Sequence, residues 1–347
     1  MQKIQLIWEL YSPENEGASQ EIDALAKAFQ SFICSTTNHS FSGKWIEWNK
    51  EKFVFDSRLK FFAPAPLIID RLGSTTINHL FASYSSFKKN FFLNNFTKPT
   101  VLTITSNLER VKGLELEKAR FVVVGSKKQL EKARSIVGGN CAAVLPGVDL
   151  TRFKPSPPPS MENLRIVSAS SCVSERDFKE KGFELLLRSL TRAKNVEASI
   201  AWRGTQWDLL NKRVEELDLR DKTRLFNKVV DMPGLMAESH CAVLVPLSGE
   251  VGKDYPNSLI EALASGRPII ASRSLGISEV IEKEKCGLVV EPEVESLAAA
   301  FNELKRNYGK YQRNCVKTAK KFFSQERFVN DYAKIYKKAE TKPADNG

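Results

Sequence analysis

The sequence predicts an α/β protein with two doubly wound parallel-sheet domains. Three observations support this prediction. Short apolar runs alternate with helical stretches along both halves of the chain, a pattern typical of parallel sheets covered by helices on both faces. A Pro-rich segment, 155–160, separates the two alternations, and its three consecutive prolines suit neither a strand ladder nor a helix interior. The length of 347 residues is sufficient for two domains of ordinary size.

Residues 1–154 are predicted to form the first domain. The apolar stretch Leu59–Ile69 can hold only a short strand, because Pro64 and Pro66 interrupt it. Helical spacing of apolar residues predicts helices over 19–29 and 127–136, and apolar runs predict strands over 3–8, 100–105, 120–125 and 142–146.

The segment 155–160 is predicted to be a stiff linker, with an ordinary surface loop as the alternative. A second domain follows over 161–323, and a terminal helix and tail occupy 324–347. Ligands of such sheets bind at the carboxyl ends of the strands, where the candidate motifs fall. In the second domain, predicted strands over 164–169, 198–202, 224–226, 241–246 and 269–271 precede predicted helices over 182–192, 206–217, 233–239, 257–265 and 276–283, respectively.

The charge of the chain is concentrated in its first half. The formal net charge is +11, and residues 1–155 carry +7 of it. A basic surface suits nucleic acid, anionic lipid or an acidic substrate, and it can equally serve solubility alone.

The cysteines and histidines indicate neither a disulfide framework nor a zinc site. The six cysteines are scattered without a C-x-x-C pair, which suits a reducing compartment, and the three histidines are equally dispersed. The first ten residues are too polar for a signal peptide, and no apolar run approaches the roughly 20 residues of a spanning helix. We therefore predict a cytoplasmic protein without a metal.

The segment 254–270 holds the clearest candidate site. It contains a predicted short helix between two apolar runs, and Pro256 suits the first turn of that helix. Asn257 or Ser258 can cap backbone N–H groups there, and the helix start predicts an anion site. Glu261, one turn inside, can accept hydrogen bonds from sugar hydroxyls, although a solvent-facing Glu is the alternative. This arrangement suits a nucleotide or a nucleotide sugar.

Basic residues follow two predicted strands of the second half. Arg176 and Lys181 lie at a strand-to-helix turn, where fixed cations can stabilise a departing diphosphate. A solvated charged loop is the alternative. Arg203 could bind phosphate or pair with a neighbouring acid, and Gly204 would let a ligand approach the backbone closely.

Aromatic residues and lysines are interleaved over 81–92. Phe81, Tyr84, Phe87 and Phe91 recur at helical spacing. Such a stripe usually packs in a core, which is the interpretation that we favour. The alternative is an aromatic, basic helix that lies on an anionic membrane.

Together these motifs resemble those of retaining glycosyltransferases of the GT-B fold, of the family 4 kind (glycosyl transferases group 1). The run 145–155 is similar to the family's P-(N)-G-V-D-x-x-x-F-x-P element, and 176–182 is similar to its R-x4-K-G element. The run 256–268 resembles the helix of its Glu-x7-Glu motif, with Glu261 as the second Glu. The resemblance covers nearly the whole chain. It implies two Rossmann-like domains that face a cleft, with the last helix crossing back to the first domain.

The resemblance also implies roles for the matching residues. Glu261 would hold the ribose hydroxyls of a nucleotide-sugar donor, and backbone N–H groups near Ser258 and Leu259 would hold a phosphate. Arg176 and Lys181 would be the catalytic residues, stabilising the departing nucleoside diphosphate without a metal or another cofactor. The remaining donor-binding positions would be Arg203, Gly204, Asp254, Pro256 and Asn257.

The chain departs from the family's pattern at both predicted sites. Lys253 stands at the first Glu of the Glu-x7-Glu motif, and Asp254 follows it. On the acceptor side, the glycine-rich loop matches only around Gly17, and the frequent His falls on Thr105 or Ser106. A catalytically silent nucleotide-sugar-binding or scaffold subunit of a glycan-assembly complex is therefore the alternative to an active enzyme.

The expected reaction is hexosyl transfer with retention of configuration. The expected partners are a nucleotide sugar, a lipid-linked, glycan or polysaccharide acceptor, and an anionic membrane touched peripherally at its cytoplasmic face. Nucleic acid is not an expected partner.

Overall fold

The computed structural model describes residues 3–9, 11, 17–35, 46–48, 52–56, 65–227, 230–250 and 252–341. The chain divides into two compact units. Unit 1 comprises Met1–Gly147 and Gln325–Gly347, and unit 2 comprises Val148–Ser324. The chain therefore passes from unit 1 to unit 2 and returns to unit 1 for its final helix.

The described strands of each unit form one sheet. The strands of unit 1 are β1 (Lys3–Trp8), β2 (Gln30–Ser35), β3 (Ile46–Trp48), β4 (Lys52–Asp56), β5 (Ile77–Ala82), β6 (Thr100–Ile104), β7 (Phe121–Val124) and β8 (Cys141–Ala143). Those of unit 2 are β9 (Leu164–Cys172), β10 (Val196–Gly204), β11 (Thr223–Phe226), β12 (Cys241–Leu244), β13 (Ile269–Ser272) and β14 (Gly287–Val290). The strand orders are β3-β4-β2-β1-β5-β6-β7-β8 and β11-β10-β9-β12-β13-β14. Every pair of described strands is parallel except β3–β4, which confirms the predicted α/β class with two parallel sheets.

Helices connect most of these strands, as parallel pairing requires. They are α1 (Gly17–Ala28), α2 (Ala65–Leu72), α3 (Phe87–Asn95), α4 (Lys127–Val137), α5 (Glu175–Glu180), α6 (Phe183–Arg192), α7 (Trp207–Glu216), α8 (Met232–Ala237), α9 (Asn257–Ala264), α10 (Ile277–Glu284), α11 (Val294–Phe323) and α12 (Gln325–Thr341). The short strand expected within Leu59–Ile69 is wrong for residues 65–69, which begin α2. Pro66 lies in the first turn of that helix, where its missing N–H is not needed. Residues 59–64 lie outside the described part of the chain.

The final helix, α12, completes the core of unit 1. Phe328, Tyr332 and Tyr336 are buried against the sheet. The imidazole of His79, fully buried in β5, has Nδ1 2.7 Å from the Tyr336 hydroxyl and Nε2 2.7 Å from Thr103 Oγ1. Burial lowers the pKa of His79 well below its usual value, so the ring is neutral and holds α12 through hydrogen bonds.

The Pro-rich segment 155–160, predicted to be a linker, packs within unit 2. Arg267 is fully buried and donates hydrogen bonds to the carbonyl oxygens of Ser156 (2.8 Å) and Pro157 (3.0 Å). The same guanidinium donates to the carbonyl oxygens of Met236 (3.0 Å) and Ala237 (3.1 Å) at the end of α8. This single side chain therefore joins the Pro-rich segment to the interior of unit 2.

Candidate functional site

The predicted site residues of unit 2 lie around the carboxyl edge of its sheet. Strands β9 and β10 end there at Cys172 and Gly204. Gly204 has a φ of +135°, and a Cβ on it would lie 1.8 Å from the carbonyl oxygen of Cys172. Only glycine permits this approach of the two strand ends. The neighbouring Arg203 is exposed.

Lys181 is held at this edge by the turn between α5 and α6. Its Nζ donates a hydrogen bond of 2.5 Å to the Ser171 carbonyl oxygen and lies 3.8 Å from Asp177 Oδ2. Gly182 has a φ of +78°, and a Cβ there would lie 1.8 Å from the carbonyl oxygen of Val245. The glycine therefore lets the turn pack against the end of β12, which fixes the backbone of Lys181.

Arg176 has a different environment from Lys181. It lies on the first turn of α5 and is exposed, and it forms no hydrogen bond or ion pair with the residues that the structure describes. The preceding strand β9 reaches Cys172, three residues beyond the predicted end. The structure thus places Lys181 at the strand edge and Arg176 on the surface of α5.

The predicted anion site is the start of α9. Pro256 is the N-cap residue, and in the described part of the chain the helix start has no capping hydrogen bond from a side chain. The expectation that Asn257 or Ser258 caps this helix is therefore wrong. The Ser258 hydroxyl instead donates to the carbonyl oxygen of Ala169 in β9, at 3.1 Å, which ties the helix start to the sheet. The first turn keeps the positive end of the helix dipole without a side-chain cap.

Glu261 is buried one turn inside α9, not directed to solvent. Glu261 is only 6% exposed, and its carboxylate has no hydrogen-bonding partner among the described residues. Burial raises the pKa of Glu261 to about 7, while the positive charges of Arg152 and Lys253 act to lower it. A carboxylate in this state has lone pairs that a ligand with hydroxyl groups could satisfy.

Lys253 and Asp254 precede the helix start. The Lys253 ammonium lies 3.5 Å from Asn257 Oδ1. Asp254 is half-buried, its carbonyl oxygen accepts the Ile277 N–H at 3.1 Å, and a Cβ on Gly276 would lie 3.1 Å from its Cβ. Close packing between the starts of α9 and α10 therefore fixes the backbone of this segment.

The predicted acceptor-side residues lie in unit 1. Gly17 begins α1, and Thr105 and Ser106 follow β6. The Thr105 N–H donates to the Ala82 carbonyl oxygen at 2.9 Å, and the Ser106 hydroxyl donates to the Ser83 carbonyl oxygen at 2.6 Å. The two polar residues thus tie the ends of β5 and β6 together.

Sequence reasoning missed a buried ion pair at the same edge of unit 1. Lys89 pairs with Glu9, which directly follows β1, and donates to the Tyr84 carbonyl oxygen at 2.7 Å. Both residues line a cavity of about 70 Å³. Burial lowers the pKa of Lys89 despite the attraction of Glu9, and burial together with Glu9 raises the pKa of Tyr84 to about 12. Glu9 could have been found from its place after a predicted strand, whereas nothing in the sequence marks Lys89.

The aromatic stretch 81–92 is divided between two environments. Phe81 is fully buried in β5, but Tyr84, Phe87 and Phe91 are 47%, 87% and 40% exposed. The favoured interpretation as core packing is therefore wrong for these three residues. None of the helices described here is both long and apolar enough to cross a membrane.

The fold and the sequence of unit 2 indicate the same class of protein. Residues 169–322 match the family described as Glycosyl transferases group 1. Solved glycosyltransferase structures superpose on almost the whole chain. The chain thus has the GT-B fold, and unit 2 carries a glycosyl transferases group 1 domain.

Two curated relatives have related roles. The chain is 26% identical over 194 residues to the lipopolysaccharide core biosynthesis glycosyltransferase LpsD of Rhizobium meliloti, covering 54% of this chain and 55% of LpsD. It is 29% identical over 178 residues to the putative colanic acid biosynthesis glycosyltransferase WcaL of Escherichia coli, covering 46% of this chain and 41% of WcaL. The chain thus spans about half the length of the curated relatives it matches.

The solved structures show the fold at lower sequence identity. HepE from Anabaena, in complex with UDP and glucose, has a TM-score of 0.77 at 16% identity, covering 97% of this chain and 100% of HepE. A glycosyltransferase from Rickettsia africae has a TM-score of 0.75 at 18% identity, covering 99% of each chain. The apo lipopolysaccharide outer core galactosyltransferase WaaB has a TM-score of 0.71 at 16% identity, covering 97% of this chain and 99% of WaaB.

Proposed function

We propose that the chain is a glycosyltransferase that moves a hexosyl group from a nucleotide-sugar donor to a lipid-linked, glycan or polysaccharide acceptor, with retention of configuration. The observation that carries the proposal is Glu261, a buried carboxylate one turn inside a helix that no side chain caps. Its oxygens suit the two hydroxyls of a ribose, and the helix start suits a phosphate. The relatives in lipopolysaccharide and colanic acid synthesis support a glycan acceptor.

Lys181 is the proposed cation for the departing nucleoside diphosphate. Cleavage of the sugar–phosphate bond builds negative charge on the leaving oxygen, and a fixed ammonium lowers that barrier without a metal. The Ser171 carbonyl and Asp177 hold this ammonium at the carboxyl edge of the sheet. Arg176 is exposed, so its long side chain would have to reach the diphosphate from the surface of α5.

The proposal is tested with a panel of UDP-, GDP- and ADP-sugars. We expect donor hydrolysis or transfer in the wild type, and a loss of at least about a hundredfold in Lys181→Met, the scale of losing one group that stabilises a transition state. Lys179→Met is the matched control, since Lys179 is exposed on the same short helix. Equal activity of the two variants would contradict the assigned role.

The pH dependence of donor binding gives a second readout. Hydrogen bonds from ribose hydroxyls favour the ionised form of Glu261, whose pKa in the unliganded chain is about 7. Nucleotide affinity should therefore rise as pH rises through 7, and this rise should be absent in Glu261→Gln. An affinity that is independent of pH in the wild type would count against a ribose contact by this carboxylate.

A silent nucleotide-sugar-binding subunit is the second candidate. It is favoured by Lys253, which stands where the family pattern has its first Glu. Binding of a donor to the wild type without hydrolysis or transfer, under any acceptor tried, would decide for this candidate.

We also propose a cytoplasmic location with peripheral contact to an anionic membrane. Five of the exposed large hydrophobic residues lie on α2, on α3 or between β5 and α3, in the half of the chain that carries most of the positive charge. Apolar insertion and attraction to anionic lipid act together in such contacts. These exposed residues are Ile68, Leu72, Tyr84, Phe87 and Phe91.

A further inference from the structure

Unit 1 has a second concave site, at the edge of the sheet opposite to the acceptor-side residues. It is a cleft of about 340 Å³, located where β7 and β8 begin and where the last turns of α12 pass. Thr105 and Ser106 follow the carboxyl end of β6, whereas Arg120 and Asn140 precede the amino ends of β7 and β8. The cleft therefore belongs to neither the donor site nor the proposed acceptor side.

Among the residues that the structure describes, cations line the cleft and no acidic side chain does. Arg120 comes from the residue before β7, and Lys334 and Lys338 come from successive turns of α12. Lys334 and Lys338 are four residues apart on one helical face, so their like charges repel each other. An anion bound between them would relieve that repulsion.

Two described acids near the cleft, Asp331 and Glu340, also interact with groups outside it. Asp331 lies 3.4 Å from Lys334 but also pairs with Arg327 at 2.6 Å, so one carboxylate faces two cations. Glu340 accepts a hydrogen bond from Thr76 at 2.7 Å. A further cation, Arg134, acts electrostatically on the Cys141 thiol, which lines the cleft.

The helix dipole alone does not account for these cations. Lys338 lies in the last turn of α12, where a positive charge is favourable. Lys334 lies a turn earlier, and Arg120 belongs to a different element. Their convergence on one cleft therefore needs another explanation.

The shape of the cleft fits a small polar ligand. Phe121 and Ile335, 7% and 4% exposed, form apolar walls, and Asn140 and Thr341 supply neutral polar groups. Its volume is at the lower end of the range for small-molecule sites, roughly 300–1,000 Å³. A phosphate group offers several oxygens that an arginine and two lysines can share.

We propose that this cleft binds a phosphate ester with a small polar body. Two sources share this chemistry, a free sugar phosphate and the glycerophosphate headgroup of an anionic lipid. The site is independent of the donor nucleotide and would couple the ligand to α12, the helix that completes the core of unit 1.

The test compares the full chain with two variants. Calorimetric titration uses glucose 6-phosphate, glycerol 3-phosphate and inorganic phosphate, and flotation uses phosphatidylglycerol vesicles. The variant Lys334→Gln/Lys338→Gln should bind the preferred phosphate ester at least about tenfold more weakly, because two charge-assisted contacts are lost. Lys337→Gln is the matched control, an exposed lysine on the same turn that does not line the cleft.

Gly139→Tyr tests the site sterically. A Cβ on Gly139 meets nothing within 4 Å, so the new side chain has room to enter the cleft without straining the fold. Binding lost in both this variant and the double lysine variant, and kept in Lys337→Gln, supports the proposal. If the soluble esters bind, the ligand is a free sugar phosphate. If only the vesicles bind, the ligand is a lipid headgroup. Unchanged affinity in the double variant, an equal loss in the control, or no binding by any probe to the wild type overturns it.

Discussion

Ionisation of Glu261 should lower the free energy of unfolding of the chain near neutral pH. Burial raises its pKa from the usual 4.5 to about 7. Below pH 4.5 the folded and the unfolded chain both hold this proton, and between 4.5 and 7 only the folded chain holds it. The free energy of unfolding therefore falls as pH rises through this window, by about 3 kcal/mol for a shift of this size.

The change Glu261→Gln removes the titrating group and keeps its shape. Between pH 4.5 and pH 8 the wild type should lose up to about 3 kcal/mol of unfolding free energy that the variant keeps. The same variant should bind a nucleotide sugar more weakly, because an amide is a poorer acceptor for two ribose hydroxyls.

Urea unfolding followed by circular dichroism across this pH range measures the effect, and hydrogen exchange of the α9 amides assigns it to unit 2. Glu295→Gln, which removes an exposed carboxylate in the first turn of α11, is the control for the loss of one negative charge. A constant difference between wild type and Glu261→Gln from pH 4.5 to 8 would refute the reasoning.

Three further predictions concern other parts of the chain. Arg267→Met should lower the free energy of unfolding by about 3 kcal/mol in urea titrations, because carbonyl oxygens of α8 and of the Pro-rich segment lose a buried donor; an unchanged midpoint would contradict this. Gly182→Ala should destabilise by at least about 1–2 kcal/mol, through its left-handed φ and the overlap with Val245, and should reduce transfer activity; normal thermal stability would show that the turn can move. Phe87→Ser/Phe91→Ser should reduce flotation with phosphatidylglycerol vesicles several-fold. Flotation with neutral phosphatidylcholine vesicles is the control, and undiminished flotation of the variant with phosphatidylglycerol would exclude this surface.

Five of the six described strands of unit 2, β9 to β13, could be predicted because their apolar runs are short and evenly spaced. Strand β5 could not, although it is buried throughout. Asn78 and His79 interrupt its apolar pattern, and their partners lie on other elements. Asn78 donates to Asp70, and His79 bonds to Tyr336, 257 residues away. A buried polar residue is recognisable only once its partner is known.

The candidate site shows the same limit. The helix start and Glu261 were predictable, because a proline, small polar residues and a carboxylate are adjacent in sequence. The pairing of Glu9 with Lys89 was not, because the elements from α1 to β5 separate them in the chain and neither is unusual by itself. Arg152, which acts on Glu261, lies more than a hundred residues before it and carries no local signal.

The buried Arg267 decides where this chain can be cut and rejoined. In a chimera that exchanges unit 1 with that of a relative at the Pro-rich segment, Arg267 and the segment that carries its carbonyl acceptors at Ser156 and Pro157 would come from different parents. Junctions at Gly147/Val148 and Ser324/Gln325 keep those contacts within one parent. Exchanges at these two junctions should therefore yield folded hybrids with a transplanted unit 2, whereas exchanges at the prolines should not.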